Sequence, residues 1–371
     1  MAVDLTQKPL QTMPLLERFP QLAARLPYVS LGTFPTPVQR LERLGSDMGA
    51  SRLFIKRDDL SGTIYGGNKT RKLEFLLGDA QRGRAKEVLT FGYAGSNHCL
   101  ATAVYARILG MRSISMLMPQ PDAPYVGRNL LMSYHEGAEL HLYRNMPWLI
   151  FGTLCQLSLH GLRYRRLPRI IPPGGSTALG IVGFVNAAFE LREQVVRGEA
   201  PQPDRIYVAA GTMGTAAGLM LGLRAADLGS KVVAVAVAGE RFVNTRGMLR
   251  LIRRTNDLLC SLAPSFPRCG FTEADIDLRH GFTGQGYGRF TEEVVEAVAL
   301  MERSEGIRLE GTYTGKALAG LIHDVKQQGD GSTILFWNTY NSRDFSQAAG
   351  LVDYRKLPRA FHRYFEADLR A

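Results

Sequence analysis

Short runs of β-branched and apolar residues recur along the chain, and each leads into a stretch of helical periodicity. Leu53–Lys56, Glu87–Phe91, Ile114–Met118, Ile206–Ala210, Val232–Val237 and Thr333–Trp337 read as strands. Lys72–Arg82, Asn97–Leu109, Ala178–Arg197 and Thr215–Leu228 read as helices between them. Near the start, Leu15, Leu16, Phe19, Leu22 and Leu26 stand at roughly helical spacing, and Pro35 and Pro37 mark an extended stretch. Strands alternating with helices predict an α/β fold of open, twisted, mostly parallel sheets, each covered by helices. Two such sheets fit a length of 371 residues. Pro172-Pro173-Gly174-Gly175 is a plausible crossover between two lobes.

The stretch Met146–Leu162 breaks the pattern. It is strongly apolar, interrupted only by Thr153, Gln156, Ser158 and His160, and is too short and too polar to cross a membrane. An amphipathic helix packed on the core or on a second copy is expected there. Composition alters little else. Hydrophobic residues at 45% and charged residues at 21% describe a folded globular chain and exclude disordered or collagen-like classes.

The net charge of +11 invites a nucleic-acid or membrane partner. The arginines are dispersed, however. Their densest cluster is Arg163, Arg165, Arg166 and Arg169, and no helix-turn-helix, zinc-finger or RNA-binding signature occurs. Neither partner is expected. The cysteines Cys99, Cys155, Cys260 and Cys269 form no C-x-x-C pair, so no metal site is expected, and without a secretory leader pattern a reducing cytoplasm is. Lysine is scarce: nine of the 45 basic residues, leaving 36 arginines.

Five segments could carry chemistry. In Gly66-Gly67-Asn68-Lys69, two glycines allow close backbone approach, and a lysine at a helix start lies near the positive end of the dipole, which helps lower an amine pKa. A solvated lysine is the ordinary alternative. Gly95-Ser96-Asn97-His98 follows a strand and opens a helix, where a Ser-Asn pair can bind a phenolic or carboxylate oxygen or simply cap the helix. Gly211-Thr212-Met213-Gly214-Thr215-Ala216-Ala217-Gly218 follows Ile206–Ala210 and suits an anion nest for one phosphate monoester. It departs from G-x-G-x-x-G and lacks a Walker lysine, so a tight turn is its alternative. Tyr287, Tyr313 and the segment Trp337–Asn341 are acid/base or binding candidates only if a reacting group lies near. A lysine, a phosphate nest, a Ser-Asn pair and hydroxyls at strand ends together are what a pyridoxal phosphate site requires.

Lys56-Arg-Asp-Asp-Leu60, Gly66-Gly-Asn-Lys-Thr-Arg-Lys-Leu-Glu74, Ser96-Asn-His98, Pro173-Gly-Gly-Ser176, Ala178-Leu-Gly180 and Tyr313-Thr-Gly-Lys-Ala317 stand in one order. That series resembles the D-cysteine desulfhydrase and 1-aminocyclopropane-1-carboxylate deaminase family, over about residues 30–345. The resemblance implies the tryptophan synthase β-like fold of pyridoxal phosphate enzymes. It divides the chain into a large cofactor-binding lobe (1–71 and 175–371) and a small one (72–174). It implies pyridoxal 5'-phosphate as cofactor, a small amino acid as substrate and a homodimer. Lys69 then matches the Schiff-base lysine, and Asn97 the partner of the ring's phenolic oxygen. Gly211, Thr212, Met213, Gly214 and Thr215 match the phosphate loop, and Tyr287 and Tyr313 match active-site tyrosines. Ser96 matches a serine that contacts the substrate carboxylate or acts as nucleophile. Asn97, His98 and Tyr340 join it on the substrate side.

Thr314 and Thr339 match desulfhydrase threonines near the ring nitrogen, where the deaminases have glutamate and leucine. A threonine does not hold that nitrogen protonated as a carboxylate would, which favours prompt β-elimination to a 2-oxo acid and ammonia. Several positions depart from the family. Gly95 stands for glutamine, Met213 for a common glycine, Arg289-Phe290 for Pro-Asn, and Asn338-Thr339-Tyr340-Asn341 for His-Thr-Gly-Gly. Met146–Leu162 stands for a polar, acidic helix. The expectation is a lyase or deaminase whose amino acid is neither D-cysteine nor the cyclopropane acid. The alternatives are a β-replacement synthase or isomerase, and a non-catalytic cofactor-binding protein.

Overall fold

A computed structural model describes residues 13–284, 286–328 and 331–366; the outermost residues of the expected large lobe, 1–12 and 367–371, lie outside them. The strands are β1 (Val38–Arg40), β2 (Leu53–Lys56), β3 (Glu87–Tyr93), β4 (Arg112–Met118), β5 (Glu139–Leu142), β6 (Arg169–Ile171), β7 (Arg205–Ala210), β8 (Lys231–Ala236), β9 (Asp277–Arg279) and β10 (Ile334–Trp337). The helices are α1 (Pro14–Arg18), α2 (Gln21–Arg25), α3 (Glu42–Met48), α4 (Asn68–Arg82), α5 (Asn97–Ile108), α6 (Pro124–His135), α7 (Met146–Tyr164), α8 (Val182–Val196), α9 (Gly214–Ala225), α10 (Thr245–Leu262), α11 (Glu292–Glu305), α12 (Thr314–Gln328) and α13 (Ser346–Gly350).

The expected two sheets are present. One has six strands in the order β1-β2-β10-β7-β8-β9, parallel except for the antiparallel edge strand β1. The other has four parallel strands in the order β5-β4-β3-β6. The pattern missed β1, β5, β6 and β9, each three or four residues long.

Helix α4 belongs to both cores. Phe75 packs with Phe184, Val185 and Trp337 beneath the six-stranded sheet, while Leu73, Leu76, Leu77 and Ala80 pack with Val88, Leu100 and Val104 beside the four-stranded one. The expected lobe boundary after residue 71 therefore falls inside a helix that touches both layers. The C-terminal segment returns to the smaller sheet, where Leu357, Phe361 and Tyr364 pack with Leu117, Val126 and Leu130.

Helix α7 forms where an amphipathic helix is expected, and its inner face is mixed: Leu149 packs with Leu89, Ile114 and Met116. His160 points inward, its Nδ1 2.9 Å from both carboxylate oxygens of Glu87. Phe151, Leu154 and Leu162 point outward and stay 59%, 59% and 82% exposed. Among the described residues, no helix is long and apolar enough to cross a membrane. The four cysteines are all free thiols.

Beneath the carboxyl end of β2 lies a buried network of charges. Arg71 Nε and Nη2 donate to Asp58 at 2.9 and 2.7 Å, and Nη1 and Nη2 donate to Glu190 at 2.8 and 3.0 Å. Lys56 Nζ donates to Glu190 at 2.6 Å and also to Gln194. Trp337 Nε1 donates to Asp58 at 2.8 Å, and Thr36 Oγ1 does so at 2.9 Å. Burial by itself would raise the Glu190 carboxyl, but Arg71 and Lys56 outweigh it and hold it below the usual carboxylate range. Removing one partner strands the others as uncompensated buried charge. Glu190→Ala is expected to cost about 3–5 kcal/mol in urea unfolding, and Glu190→Gln distinctly less.

Candidate active site

In a parallel sheet, ligands collect beyond the carboxyl ends of the strands. Here the loops leaving β2, β3, β7 and β10 meet at those ends, and each carries one of the motifs. The Gly-Gly pair exists because its own loop and the loop after β10 press against it. A side chain at Gly66 would place its Cβ 2.1 Å from the Asp59 carbonyl oxygen. Gly67 has φ +86°, and a Cβ there would lie 2.8 Å from the Thr339 carbonyl oxygen. Gly66 N–H donates to Asn341 Oδ1 at 2.7 Å, and Asn68 N–H to the Thr339 carbonyl at 3.1 Å. The start of α4 is thereby joined to the loop after β10.

Lys69 stands in the first turn of α4, half-buried. Its Nζ donates to Asn68 Oδ1 at 2.9 Å, and Asn68 Nδ2 donates to Thr215 Oγ1 at 3.0 Å. One carboxamide thus links the amine to the loop after β7. Burial pulls the Lys69 ammonium down to about 8, with the Glu310 carboxylate opposing the shift. The Tyr313 ring centroid lies 5.9 Å from Nζ, and the Tyr313 and Tyr287 hydroxyls are 2.8 Å apart. Burial raises both phenols, so they stand as neutral O–H groups.

The loop after β7 makes a tight concavity. A Cβ at Gly214 would lie 2.3 Å from Ser176 Oγ and 2.8 Å from Lys72 Nζ, and one at Gly211 2.8 Å from the Tyr313 ring. Ser176 and Thr212 hydroxyls are 2.7 Å apart, and Gly214 and Thr215 open α9 with their amides at the positive end of the helix. Met213 adopts φ +62°, which explains why a glycine is common there; its Sδ accepts the Asn244 N–H at 3.4 Å.

Lys72 also lines this concavity and was not singled out from the sequence. It is buried, yet its Nζ donates only to the Gly174 carbonyl and Ser176 Oγ, both at 3.1 Å, and it forms no salt bridge among the described residues. Burial, and then Lys69, hold its pKa well below normal. Its spacing from Lys69, three residues along one helix face, was the available signal. A cradle closed to any Cβ, with two hydroxyls, helix amides and a buried cation lacking a counter-charge, fits a phosphate group.

On the loop after β3, Ser96 caps α5, its Oγ accepting Cys99 N–H at 3.2 Å, which is the ordinary alternative of the sequence reading. Asn97 is aimed by a neighbour that sequence gave no hint of. Asn129 Nδ2 on α6 donates to Asn97 Oδ1 and to the Gly95 carbonyl, both at 2.9 Å, so the Asn97 amide N–H groups turn away from α6. His98 lies deeper, buried with its ring against the turn at Gly175, held well below its usual pKa by burial, then by Lys69 and Lys72. Thr314 Oγ1 is engaged locally, accepting Glu310 N–H at 3.0 Å and donating to the Glu310 carbonyl at 3.2 Å. The Glu310 side chain in turn caps α12, taking the N–H groups of Thr312, Tyr313 and Thr314 at 2.7–3.0 Å. Thr339 is buried in the same loop cluster, and the Tyr340 hydroxyl accepts from Arg128 at 3.1 Å.

Residues 29–339 match the family described as "Pyridoxal-phosphate dependent enzyme". The chain belongs to that family. It is an enzyme, and its cofactor is pyridoxal phosphate. It is 34% identical to a D-cysteine desulfhydrase of Klebsiella pneumoniae over 328 residues, which is 86% of this chain and 95% of that one. It is also 34% identical to the mitochondrial bifunctional D-cysteine desulfhydrase/1-aminocyclopropane-1-carboxylate deaminase of Arabidopsis thaliana, covering 84% of this chain and 77% of that protein. The crystal structure of an ACC deaminase homologue superposes with a TM-score of 0.74 at 32% identity, covering 90% of this chain and 98% of its own. The resemblance read from the motifs therefore holds for both family and fold.

Two measurements test the site. Lys72→Met removes a buried amine that has no counter-charge. It is expected to stabilise the cofactor-free protein by about 1–3 kcal/mol in urea unfolding while weakening pyridoxal phosphate binding by about 100-fold in a fluorescence titration. Competitive amine labelling of the cofactor-free protein should show Lys69 reacting with a midpoint near pH 8. Its neutral, reactive form gains population as pH rises through about 8 rather than through 10.5. A midpoint at the ordinary value would remove the argument for an activated amine.

Proposed function

We propose that the protein is a pyridoxal phosphate-dependent lyase or deaminase that takes a small amino acid to a 2-oxo acid and ammonia by β-elimination. One observation carries this reading: the Asn68 carboxamide ties an amine of depressed pKa to the loop that would hold a phosphate. Gly211 to Thr215, with Lys72 and Ser176, would hold the phosphate. Asn97, steadied by Asn129, would meet the ring's phenolic oxygen. Thr314 and Thr339 would stand near the ring nitrogen.

When bound, the cofactor supplies the electron sink that acidifies the α-proton of the amino acid. Lys69, neutral above about pH 8, then takes that proton on Nζ. The Tyr287–Tyr313 hydroxyl pair, held neutral by burial, is suited to give a proton to the departing β-group. Ser96, Asn97 and His98 at the start of α5 would hold the substrate carboxylate, helped by the positive end of that helix. An uncharged threonine pair at the ring nitrogen favours release of the β-substituent over transamination.

The changed substrate-side residues Gly95 and Tyr340 support an amino acid other than D-cysteine or the cyclopropane acid. A large lobe (1–71 and 175–371) and a small lobe (72–174) would close over Lys69. A cytoplasmic homodimer completes the reading, supported by the family resemblance and by the uncovered apolar face of α7.

Purified holoenzyme incubated with D- and L-amino acids should release a 2-oxo acid and ammonia in equal amounts, without a second nucleophile. Lys69→Ala should lose both this activity, by at least about 1,000-fold, and the visible absorbance of the bound cofactor. Product that forms only when a second nucleophile is added would replace elimination by β-replacement. Turnover best with D-cysteine would end the case for a changed substrate.

A further inference from the structure

The contact between α6 and the loop after β10 spans the carboxyl ends of the two sheets. It is made by Arg128, whose Nη2 donates to the Tyr340 hydroxyl at 3.1 Å. Three features of this guanidinium stand out. Its Nε is fully buried and has no hydrogen-bond partner. It enters no salt bridge among the described residues, although the side chain is half-buried. Its neighbour in sequence, Asn129, holds the Asn97 carboxamide, so Arg128 projects from the same turn of helix that organises the site.

The packing around it is specific. A Cβ at Gly95 would lie 2.8 Å from a Tyr125 ring carbon and 3.0 Å from a Val126 methyl, so only glycine lets α6 come this close to the loop after β3. Tyr125 stands one turn before Arg128 on the same helix face. Its hydroxyl accepts from Gln120 Nε2 at 2.9 Å and from Thr312 Oγ1 at 3.2 Å, at the foot of the Tyr313 segment. Gln120 Oε1 accepts the Gly95 N–H at 2.9 Å. The Tyr65 hydroxyl, which donates to the Asn97 carbonyl at 3.1 Å, feels the charge of Arg128 and the phenol of Tyr340 directly. Arg128 and Tyr340 therefore stand beside the Asn97 contact, and the Tyr340 carbonyl lies against Gly67, two residues before Lys69.

A guanidinium partly removed from water, with a buried N–H unmet, is unfavourable unless an anion completes it. Arginine presents several donors in a planar fork, and only one is used here by a neutral hydroxyl. Tyr340 accepts from Arg128, so its own O–H remains free to donate to the same oxygen-bearing group. The start of α5 is already the place for the α-carboxylate. The Arg128–Tyr340 pair is left over for a second anion.

We propose that Arg128 and Tyr340 form a subsite for an anionic, oxygen-bearing group on the β-substituent of the substrate. The favoured amino acid then carries two acidic groups and expels an anionic leaving group. This rests on the elimination reading above. In the reaction the α-proton leaves to Lys69 and the Cβ–X bond breaks. The electron pair departs with X, stabilised by the guanidinium. The enamine that remains takes up water to give the 2-oxo acid and ammonia.

The probes are serine O-sulfate and O-phosphoserine, in both enantiomers, against 3-chloroalanine, whose leaving group has no oxygens to grip. Turnover is read as 2-oxo acid, and binding to the holoenzyme by calorimetry. Wild-type kcat/KM should favour an oxyanion probe over 3-chloroalanine. R128Q should lower that preference ratio by about 100-fold and Y340F by about 5-fold, with binding of the oxyanion probe weakened to match. An unchanged ratio in R128Q, with both kinds of substrate losing activity together, would overturn the subsite and leave Arg128 as a contact between sheets. If 3-chloroalanine is processed but the oxyanion probes neither bind nor react, the subsite falls while the elimination reading stands. If no probe is turned over but the oxyanion probes bind in an Arg128-dependent way, the subsite stands and the elimination reading falls.

Discussion

The site depends on a guanidinium that never meets a substrate. Arg71 lies one turn or less from Lys69 and Lys72, and its planar fork is gripped by Asp58 after β2 and Glu190 on α8. Those contacts fix the rotation and height of α4, so the two lysines that flank Arg71 in sequence are presented to the opposite side. Trp337 at the end of β10 shares Asp58, which sets the neighbouring strand to the same anchor. Buried ion pairs add little net stability, because desolvation offsets much of the attraction. Their use here is geometric: each partner is intolerable without the others, so one arrangement of strand, helix and loop is selected.

From that anchor the rest of the site follows by close approach. Gly66 and Gly67 let the loops after β2 and β10 touch the start of α4, and Gly214 lets Lys72 reach the loop after β7. Where the chain gives up a glycine, it bears the strain: Met213 keeps the left-handed turn at a cost of about 1–2 kcal/mol and offsets part of it through the contact of its sulfur with Asn244. Where the chain gains one, it admits a neighbour. Gly95 admits Tyr125 and Val126 and bonds Gln120 beside the loop after β3, and the C-terminal residues Leu357, Phe361 and Tyr364 brace α6 from behind.

The smaller sheet shows how far pattern and packing can diverge. Periodicity finds α7, but not which face turns inward. His160 is held at Glu87, and Arg112 joins Glu87 at 2.9 Å, so a polar contact helps the packing of Leu149 to seat the helix while Leu154, Leu159 and Leu162 face out.

Local chemistry made much of this protein legible. Alternating runs of β-branched and helical residues determined the α/β class and the longer strands, because periodicity survives in any context that buries one face. The Gly-Gly-Asn-Lys run and the glycine-rich turn after Ile206–Ala210 marked a close backbone approach at Lys69 and a tight strand-to-helix turn, because their conformational demands are written in neighbouring residues. The tertiary structure decided what joins them. Asn68 reaches Thr215, and Asn129 reaches Asn97, across 147 and 32 positions of chain. Arg128 meets Tyr340 across 212. No local pattern encodes a hydrogen bond between residues brought together only when two sheets align their carboxyl ends, and it is those bonds that join the start of α4 to the loops after β3, β7 and β10.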